Sequence, residues 1–287
     1  MNLNEQLLAI QKSKAPLAEK KALCIKLGLR PRDVEYLEFS GFFNCECLTF
    51  GVEVECNVRR DDVIRFARCY PTFRFGYEGY NHTDNRHYYK FVTDGSVHGY
   101  SPIECVSPIL EDSEDGFKSL ETCLRVLNSA GASVNSSCGL HVHVGVEKLT
   151  VEEMVNIYKN YQKLEGLIDS FMAPSRRGDC RWAKSLQRIC FDRVSSVDSL
   201  QARMSHDRYY KVNAMAYSRH KTVEFRQHQG TTDYKKIAKW VSFCCKLVEW
   251  SKRHVLESEV TSIADVPFLN DEEKAFFASR VEYFSTH

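Results

Sequence analysis

The sequence predicts an α+β protein: a mainly antiparallel sheet with helices packed on one side. Three observations lead to this class. Short stretches of alternating apolar and polar residues recur between residues 47 and 230, the period of half-buried strands. Several of these stretches are neighbours in the chain, with only polar turns between them. The long segments with helical spacing fall irregularly among them, whereas a doubly wound parallel sheet needs a crossover after each strand.

Taken in order, residues 1–46 read as charged helices with a turn at "GLRPRD", an N-terminal appendage. "CLTFGVEVEC" (47–56) alternates and is rich in Val and Phe, so it is expected to be a strand. "RRDDVIRFARC" is a short helix with Ile64 and Phe66 turned inward. "TFRFGYEGY" and "HYYKFVTD" are strands on either side of the polar turn "NHTDN". "SPIECVSPIL" is strand-like but carries Pro102 and Pro108, which suits an edge or an irregular strand end. In "SEDGFKSLETCLRVLNSAG", Phe117, Leu120, Leu124 and Leu127 follow helical spacing and Gly131 ends the helix.

"GLHVHVGV" (139–146) is a strand, and "TVEEMVNIYKNYQKLEGLIDSFM" is a long helix opened by a capping box of Thr150 and Glu153. "APSRRGDCRWAKS" is an irregular basic loop. "YYKVNAMAY" and "KTVEFRQHQG" alternate as two strands, a hairpin around "SRH". Residues 233–253 form an apolar helix containing Trp240 and Trp250, and a last helix covers 271–284 after the linker "SEVTSIADVPFLND". The expected division is an appendage (1–46), a catalytic domain (47–254) and a C-terminal helical extension (255–287).

Composition removes several functions. The 39 Lys and Arg residues nearly cancel the 38 Asp and Glu, leaving no electrostatic case for nucleic acid or an anionic membrane as partner. No stretch approaches the ~20 apolar residues of a membrane span. The N-terminus lacks the apolar run of a signal peptide, so the expected location is cytoplasmic. The 12 cysteines are then free thiols, mostly buried as small hydrophobes. "CEC" (Cys45, Cys47) and "CC" (Cys244, Cys245) lack zinc-site spacing.

The chemistry gathers on three strands. Side chains at i and i+2 of a strand share a face. Glu53 and Glu55 therefore share one, opposite Val52 and Val54; His141 and His143 share one, opposite Leu140, Val142 and Val144. Glu224, Arg226 and His228 share one, opposite Val223 and Phe225. Each pattern alone is what a solvent-facing strand or a salt-bridge ladder also shows. Together they are carboxylates, imidazoles and one guanidinium, with no lysine on those three faces. Carboxylate oxygens with few imidazoles suit Mg²⁺ or Mn²⁺, and a planar guanidinium suits a phosphate oxygen.

"FGVEVE", "TDGSVHG", "IECVSPIL", "SSCGLHVHVG" and "YKVNAMAYSRHKTVEFRQHQGTTD" resemble, in this order, the motif series of the amidoligase family. These are carboxylate–amine ligases similar to the glutamine synthetase catalytic domain, and the resemblance covers about residues 47–250. It implies a sheet that carries ATP with two or more divalent cations, Mg²⁺ or Mn²⁺. ATP phosphorylates a carboxylate, and an amine displaces the phosphate to form an amide. The implied metal ligands are Glu53 and Glu55, one for each cation site, with Glu104, His141 and Glu224. His143 would lie near the phosphates and Arg226 on the transferring phosphoryl group, so that Glu53, Glu224 and Arg226 carry catalysis. The implied partners are a carboxylate substrate and an amine substrate, each a small molecule, peptide or protein.

Other residues keep two readings. Asp94 in "TDGS" either caps the turn that Gly95 makes, the favoured reading, or adds a carboxylate to the site. Arg176, Arg177 and Arg181 are a lid or carboxylate-binding element, or a solvated loop. Asn213 contacts substrate or, preferably, makes structural hydrogen bonds. His228 lies behind the ligands or is exposed, and Cys138 is packing rather than a nucleophile. Two rival functions remain: a metal-dependent hydrolase, and a nucleotide- or peptide-binding module without turnover.

Overall fold

Alternation becomes a ladder in β1 (Thr49–Asn57), the central strand of the sheet. The computed structural model describes residues 3–13, 15–39, 48–81, 83 and 87–286. "CEC", the end of the appendage and most of "NHTDN" lie outside these residues. The other strands are β2 (Phe75–Gly79), β3 (Tyr89–Val92), β4 (Pro102–Val106), β5 (Leu110–Glu111), β6 (Gly139–Gly145), β7 (Val212–Asn213) and β8 (Thr222–Gln229). Their order is β2-β3-β4-β1-β6-β8-β7, with β5 on the first residues of β1. Every pairing is antiparallel except β2 with β3, which run parallel. The fold is thus α+β on a mostly antiparallel, mixed open sheet.

The helices are α1 (Leu3–Lys12), α2 (Leu17–Lys26), α3 (Pro31–Phe39), α4 (Arg60–Ala67), α5 (Glu114–Ser129), α6 (Val151–Ser170), α7 (Val197–Arg203), α8 (Ala216–His220), α9 (Tyr234–Ser251) and α10 (Asp271–Thr286). α6 opens with the capping box of Thr150 and Glu153. Gly131 takes a left-handed φ of 77° just past α5, a conformation only glycine adopts without strain. α5, α6 and α9 cover one face of the sheet. There Val52, Val54, Leu140, Val142, Val144, Val223 and Phe225 are buried with Leu120, Leu124, Leu127, Tyr161 and Trp240. That core leaves the opposite face free for polar side chains.

Two expectations need correction. In α4 the buried residues are Val63 and Ala67, with Phe66 partly buried against the core, but Ile64 is not part of that packing. Residues two apart lie on different sides of a helix, whereas four apart share one. Of the two readings of the prolines around β4, the irregular strand end holds rather than the edge, since β4 runs between β3 and β1. Its prolines are tolerated because Pro102 opens the strand and Pro108 follows its end. "YYKVNAMAY" is not a full strand: only Val212 and Asn213 pair with β8, and α8 replaces the hairpin. Asn213 accepts a hydrogen bond from the Met215 N–H and turns the chain away. The C-terminal helical segment packs on the main core, with Phe277 against Phe171 and Phe243. α1–α3 have a small core of their own, built on Cys24 and Val34. All ten cysteines among the described residues are free thiols.

Candidate active site

Register decides which polar side chains meet. β1 sets Glu53 opposite His141 of β6 and Glu55 opposite Glu104 of β4. β8 sets Glu224 opposite both His143 of β6 and Asn213 of β7. Apart from His228, the residues expected to share a face do so, and neighbouring strands bring them into contact. His141 Nδ1 donates to Glu53 Oε2 at 3.1 Å and lies 3.7 Å from Glu224 Oε1. Its Nε2 is 3.9 Å from Glu55 Oε1. His143 Nε2 lies 3.4 Å from Glu53 Oε1 and 3.9 Å from Glu224 Oε1.

The carboxylates are held in place from the side. The Gly139 N–H donates to Glu55 Oε2 at 2.5 Å. Asn213 Nδ2 donates to Glu224 Oε2 at 2.5 Å, the structural hydrogen bond expected of it. Arg226 Nη1 donates to Glu224 Oε1, and its guanidinium sits 5.8 Å from the centre of the Tyr209 ring. Thr222 Oγ1 lies 2.8 Å from His143 Nδ1 and so fixes that ring.

Three overlapping groups of donor atoms result: Glu53, His143 and Glu224; Glu53, Glu104 and His141; Glu55, Asp94 and Glu104. In each, the ligand atoms lie within 4.8 Å of one another. Asp94 fills both of its readings at once. Its Oδ1 accepts from the Ser96 N–H and hydroxyl at 2.6 Å each, and its carboxylate joins the third group.

The donor set fits divalent cations. Glu104 is only 4% exposed and forms no ion pair or side-chain hydrogen bond among the described residues. Burial, and then repulsion by Glu53, Asp94, Glu55 and Glu224, pushes its carboxyl well above the usual range. Burial also works against an ionised Glu53, but charge on His143 and the hydrogen bond from His141 outweigh it and hold Glu53 well below. Glu224 is likewise buried, yet Arg226, His143 and His141 keep it low. Burial alone would lower His143, and Glu53 and Glu224 raise it instead. His143 Nε2 and Arg226 Nε are buried without a hydrogen-bond partner among the described residues. Converging oxygens with an orphaned imidazole nitrogen are what a hard cation completes.

A cavity of about 590 Å³ opens from Glu53 and His143 toward the start of β1, walled by Ser107, Lys90, Lys148, His220, Lys221 and Thr222. Lys90 and Thr222 escaped the sequence reading. Lys90 shares the site face because it pairs with Val106, which pairs with Glu53. Of the loop arginines, Arg176 is buried, Arg177 half-buried and Arg181 exposed. Cys138 is buried packing, as expected.

His228 is a correction, for it does not share the face of Glu224 and Arg226. β8 contains a bulge: Val142 pairs with Phe225 and Leu140 with His228, so two steps on β6 match three on β8. The extra residue turns His228 to the helix side, buried 5.8 Å from the Trp240 ring with Nδ1 donating to the Gln229 carbonyl.

Residues 46–248 match the protein family described as "putative amidoligase enzyme". No curated protein sequence matches the chain.

Proposed function

The chain belongs to this amidoligase family, and from that premise we propose that it is a carboxylate–amine ligase that uses ATP and a divalent cation. The observation that carries the reading is the trio of overlapping donor groups on one sheet face, sharing Glu53 and Glu104 and flanked by Arg226. We assign Glu53, Glu55, Glu104, His141 and Glu224 as ligands of Mg²⁺ or Mn²⁺, with Asp94 added to the Glu55 side. These ions, when bound, neutralise phosphate oxygens and polarise the group being transferred. The sheet order and site face also support a likeness to the glutamine synthetase catalytic domain.

In this reading a substrate carboxylate oxygen attacks the γ-phosphorus of ATP, the bond to the β-phosphate oxygen breaks, and ADP leaves. The amine nitrogen then attacks the acyl carbon, phosphate departs, and an amide forms with loss of a proton. No protein nucleophile is required, so the task of the chain is positioning and charge compensation. Arg226 spends Nη1 on Glu224 and keeps Nε, which has no hydrogen-bond partner among the described residues, for a phosphoryl oxygen. Thr222 and Asn213 hold His143 and Glu224 in place. The cavity beside Glu53 and His143 has the volume of a nucleotide site, and Lys90, Lys148 and Lys221 on its wall suit an anionic ligand.

The test is thermal stability with a non-hydrolysable ATP analogue, with and without Mg²⁺ or Mn²⁺, for wild type, Glu53→Ala and Arg226→Ala. A shift that needs both nucleotide and cation, and that both substitutions weaken, is expected. A folded protein without a shift refutes the ligase reading. A response to cation alone favours a metal-dependent hydrolase, and nucleotide binding without ADP release over a substrate panel favours a binding module.

A further inference from the structure

We infer that Lys90 binds the phosphate chain of the nucleotide, an inference that rests on the ligase reading and names one contact within it. Lys90 lies on β3 and is only 2% exposed. Its Nζ donates to the backbone carbonyls of Asn81, at 3.2 Å, and of Thr83. Among the described residues no carboxylate forms an ion pair with it. An ammonium carries three N–H donors, so one is left over. Lysine is almost never this buried unless it is paired, because the charge loses its hydration and neutral carbonyls return only part of it. An anion within reach of the third N–H supplies what is missing.

Room for that anion is part of the fold. Lys90 lines the cavity of about 590 Å³ together with Gly51, Glu53, Val106, Ser107 and His143. Sheet register puts the charged residues in order. Lys90 pairs with Val106, Val106 with Glu53, and Glu53 with His141, one rung across four strands. Directly paired residues share a face, so the lysine and the proposed cation ligands stand on the same side of the sheet. With strands ~4.8 Å apart, Lys90 and Glu53 are about 10 Å apart at Cα. That span fits a phosphate chain held by a cation on Glu53 at one end and by Lys90 at the other. Next to Glu53 on this face lies Gly51, where the floor of the cavity is bare backbone. A Cβ there would stand 3.8 Å from both His143 Cβ and Ser107 Oγ, an ordinary contact distance, so the floor is clear rather than crowded.

The other lysines of the wall are placed differently. Lys148 and Lys221 are exposed, and Lys221 lies 4.7 Å from the centre of the Tyr217 ring. Water and salt screen such charges, so contacts to them are worth little. Lys90 is held by its strand and by two carbonyls, and a charge fixed in a buried wall needs no reorganisation when a phosphate arrives. Ordering it in advance also lowers the entropy lost on binding. The arrangement gives the ligand a direction. Its phosphates lie at the Glu53 and Lys90 end of the cavity. The rest of the nucleotide extends toward the half-buried Leu48 and Leu149, beside the start of β1 and beyond the end of β6.

Calorimetry with two probes, a non-hydrolysable ATP analogue and tripolyphosphate, each with Mg²⁺, tests the assignment on wild type, Lys90→Met and Lys90→Gln. Both probes are expected to bind saturably to wild type. Losing a charge-assisted contact weakens both roughly 10- to 100-fold in Lys90→Met. Lys90→Gln keeps donors for the carbonyls of Asn81 and Thr83 but carries no charge, so it holds the local fold and shows the same loss. Mn²⁺ binding without nucleotide stays unchanged in both variants. Wild-type affinity in Lys90→Gln would mean that Lys90 only pins the two carbonyls, and it overturns the assignment. Unchanged binding in Lys90→Met, a loss for the analogue that tripolyphosphate does not share, or loss of Mn²⁺ binding in both variants overturns it as well. In each of those cases wild type still binds the analogue with Mg²⁺, so the ligase reading stands and only the role of Lys90 falls. A wild type that does not bind the analogue removes the ligase reading itself.

Discussion

Replacing Glu104 by glutamine should move stability in opposite directions with and without cation. Glu104 is buried, faces Glu55 across the β1–β4 ladder and belongs to two of the three donor groups. In the cation-free protein its carboxyl is held well above its ordinary value near 4.5, by burial first and then by four neighbouring carboxylates. The folded state thus binds a proton that the unfolded chain has already lost, and stability falls as pH rises from about 4.5 through the folded value. Glutamine keeps the shape and carries no charge. Glu104→Gln is therefore expected to melt higher than wild type in EDTA at neutral pH and to match it below the unfolded value. With cation at one hundred times its dissociation constant, the wild type gains about 2.7 kcal/mol. At ~2.1 cal/mol/K per residue, unfolding of a chain of 287 residues carries about 0.6 kcal/mol/K, so the gain is roughly 4–5 °C. Loss of a ligand weakens affinity about 100-fold or more, which leaves roughly 0.4 kcal/mol, under 1 °C, at the same concentration. Differential scanning calorimetry in EDTA, then with Mg²⁺ or Mn²⁺, reads both signs. A variant that melts lower in EDTA and keeps the full cation response would refute the reasoning and make Glu104 a structural residue.

Two further outcomes follow from the same geometry. Burial, then the positive charge of Arg280, Arg176 and Lys236, pushes His228 down to about 4 despite its hydrogen bond to the Gln229 carbonyl. The unfolded chain takes up this proton first, so stability is intact above about pH 6.5 and is lost as pH falls toward 4, by ~1.4 kcal/mol per pH unit and up to ~3 kcal/mol in all. Urea unfolding between pH 7 and 4.5 should show His228→Phe with a flatter profile than wild type, and identical slopes would count against the buried neutral imidazole. Thr222→Val removes the oxygen beside His143 Nδ1; it should change stability by no more than ~1 kcal/mol yet weaken binding of the ATP analogue with Mg²⁺ roughly 10- to 100-fold in calorimetry. Unchanged binding would mean that His143 is oriented without Thr222.

The parts of the site that were legible in the sequence are those that strand geometry makes local. "FGVEVE" and "GLHVHVG" each show an apolar face and a face of ionisable groups within seven residues, and both faces are where alternation puts them. "TVEFRQH" obeys the same rule only as far as Arg226, because the bulge in β8 inserts one residue and carries His228 to the other side. A bulge answers to the partner strand and the helices beneath it, so the period of a single strand does not announce it. Lys90 was obscured, and the site reading of Asp94 was not the favoured one, for a related reason, since their part in the site depends on β4 joining β3 to β1. Arg176 lies in a stretch with no periodicity, and its burial depends on Gln227, Asp169 and Cys138, residues 7 to 51 positions away along the chain.

Register is the step that converts faces into chemistry, and the apolar side of the sheet sets it. Val54 pairs with Cys105 and Cys56 with Ile103, all four buried against the helices, and this alignment leaves Glu55 opposite Glu104. A slip of one residue would turn Glu104 into the core and Cys105 out of it, because successive side chains point to opposite faces. The same apolar contacts that stabilise the ladder thus hold two carboxylates against each other on its far side. Left alone, the gathered carboxylates oppose folding, since burial first and then Glu53, Asp94, Glu55 and Glu224 raise the Glu104 carboxyl. A fold retains such a conflict where a ligand resolves it. The register that the hydrophobic core imposes is thus what gathers the carboxylates for which a cation is proposed.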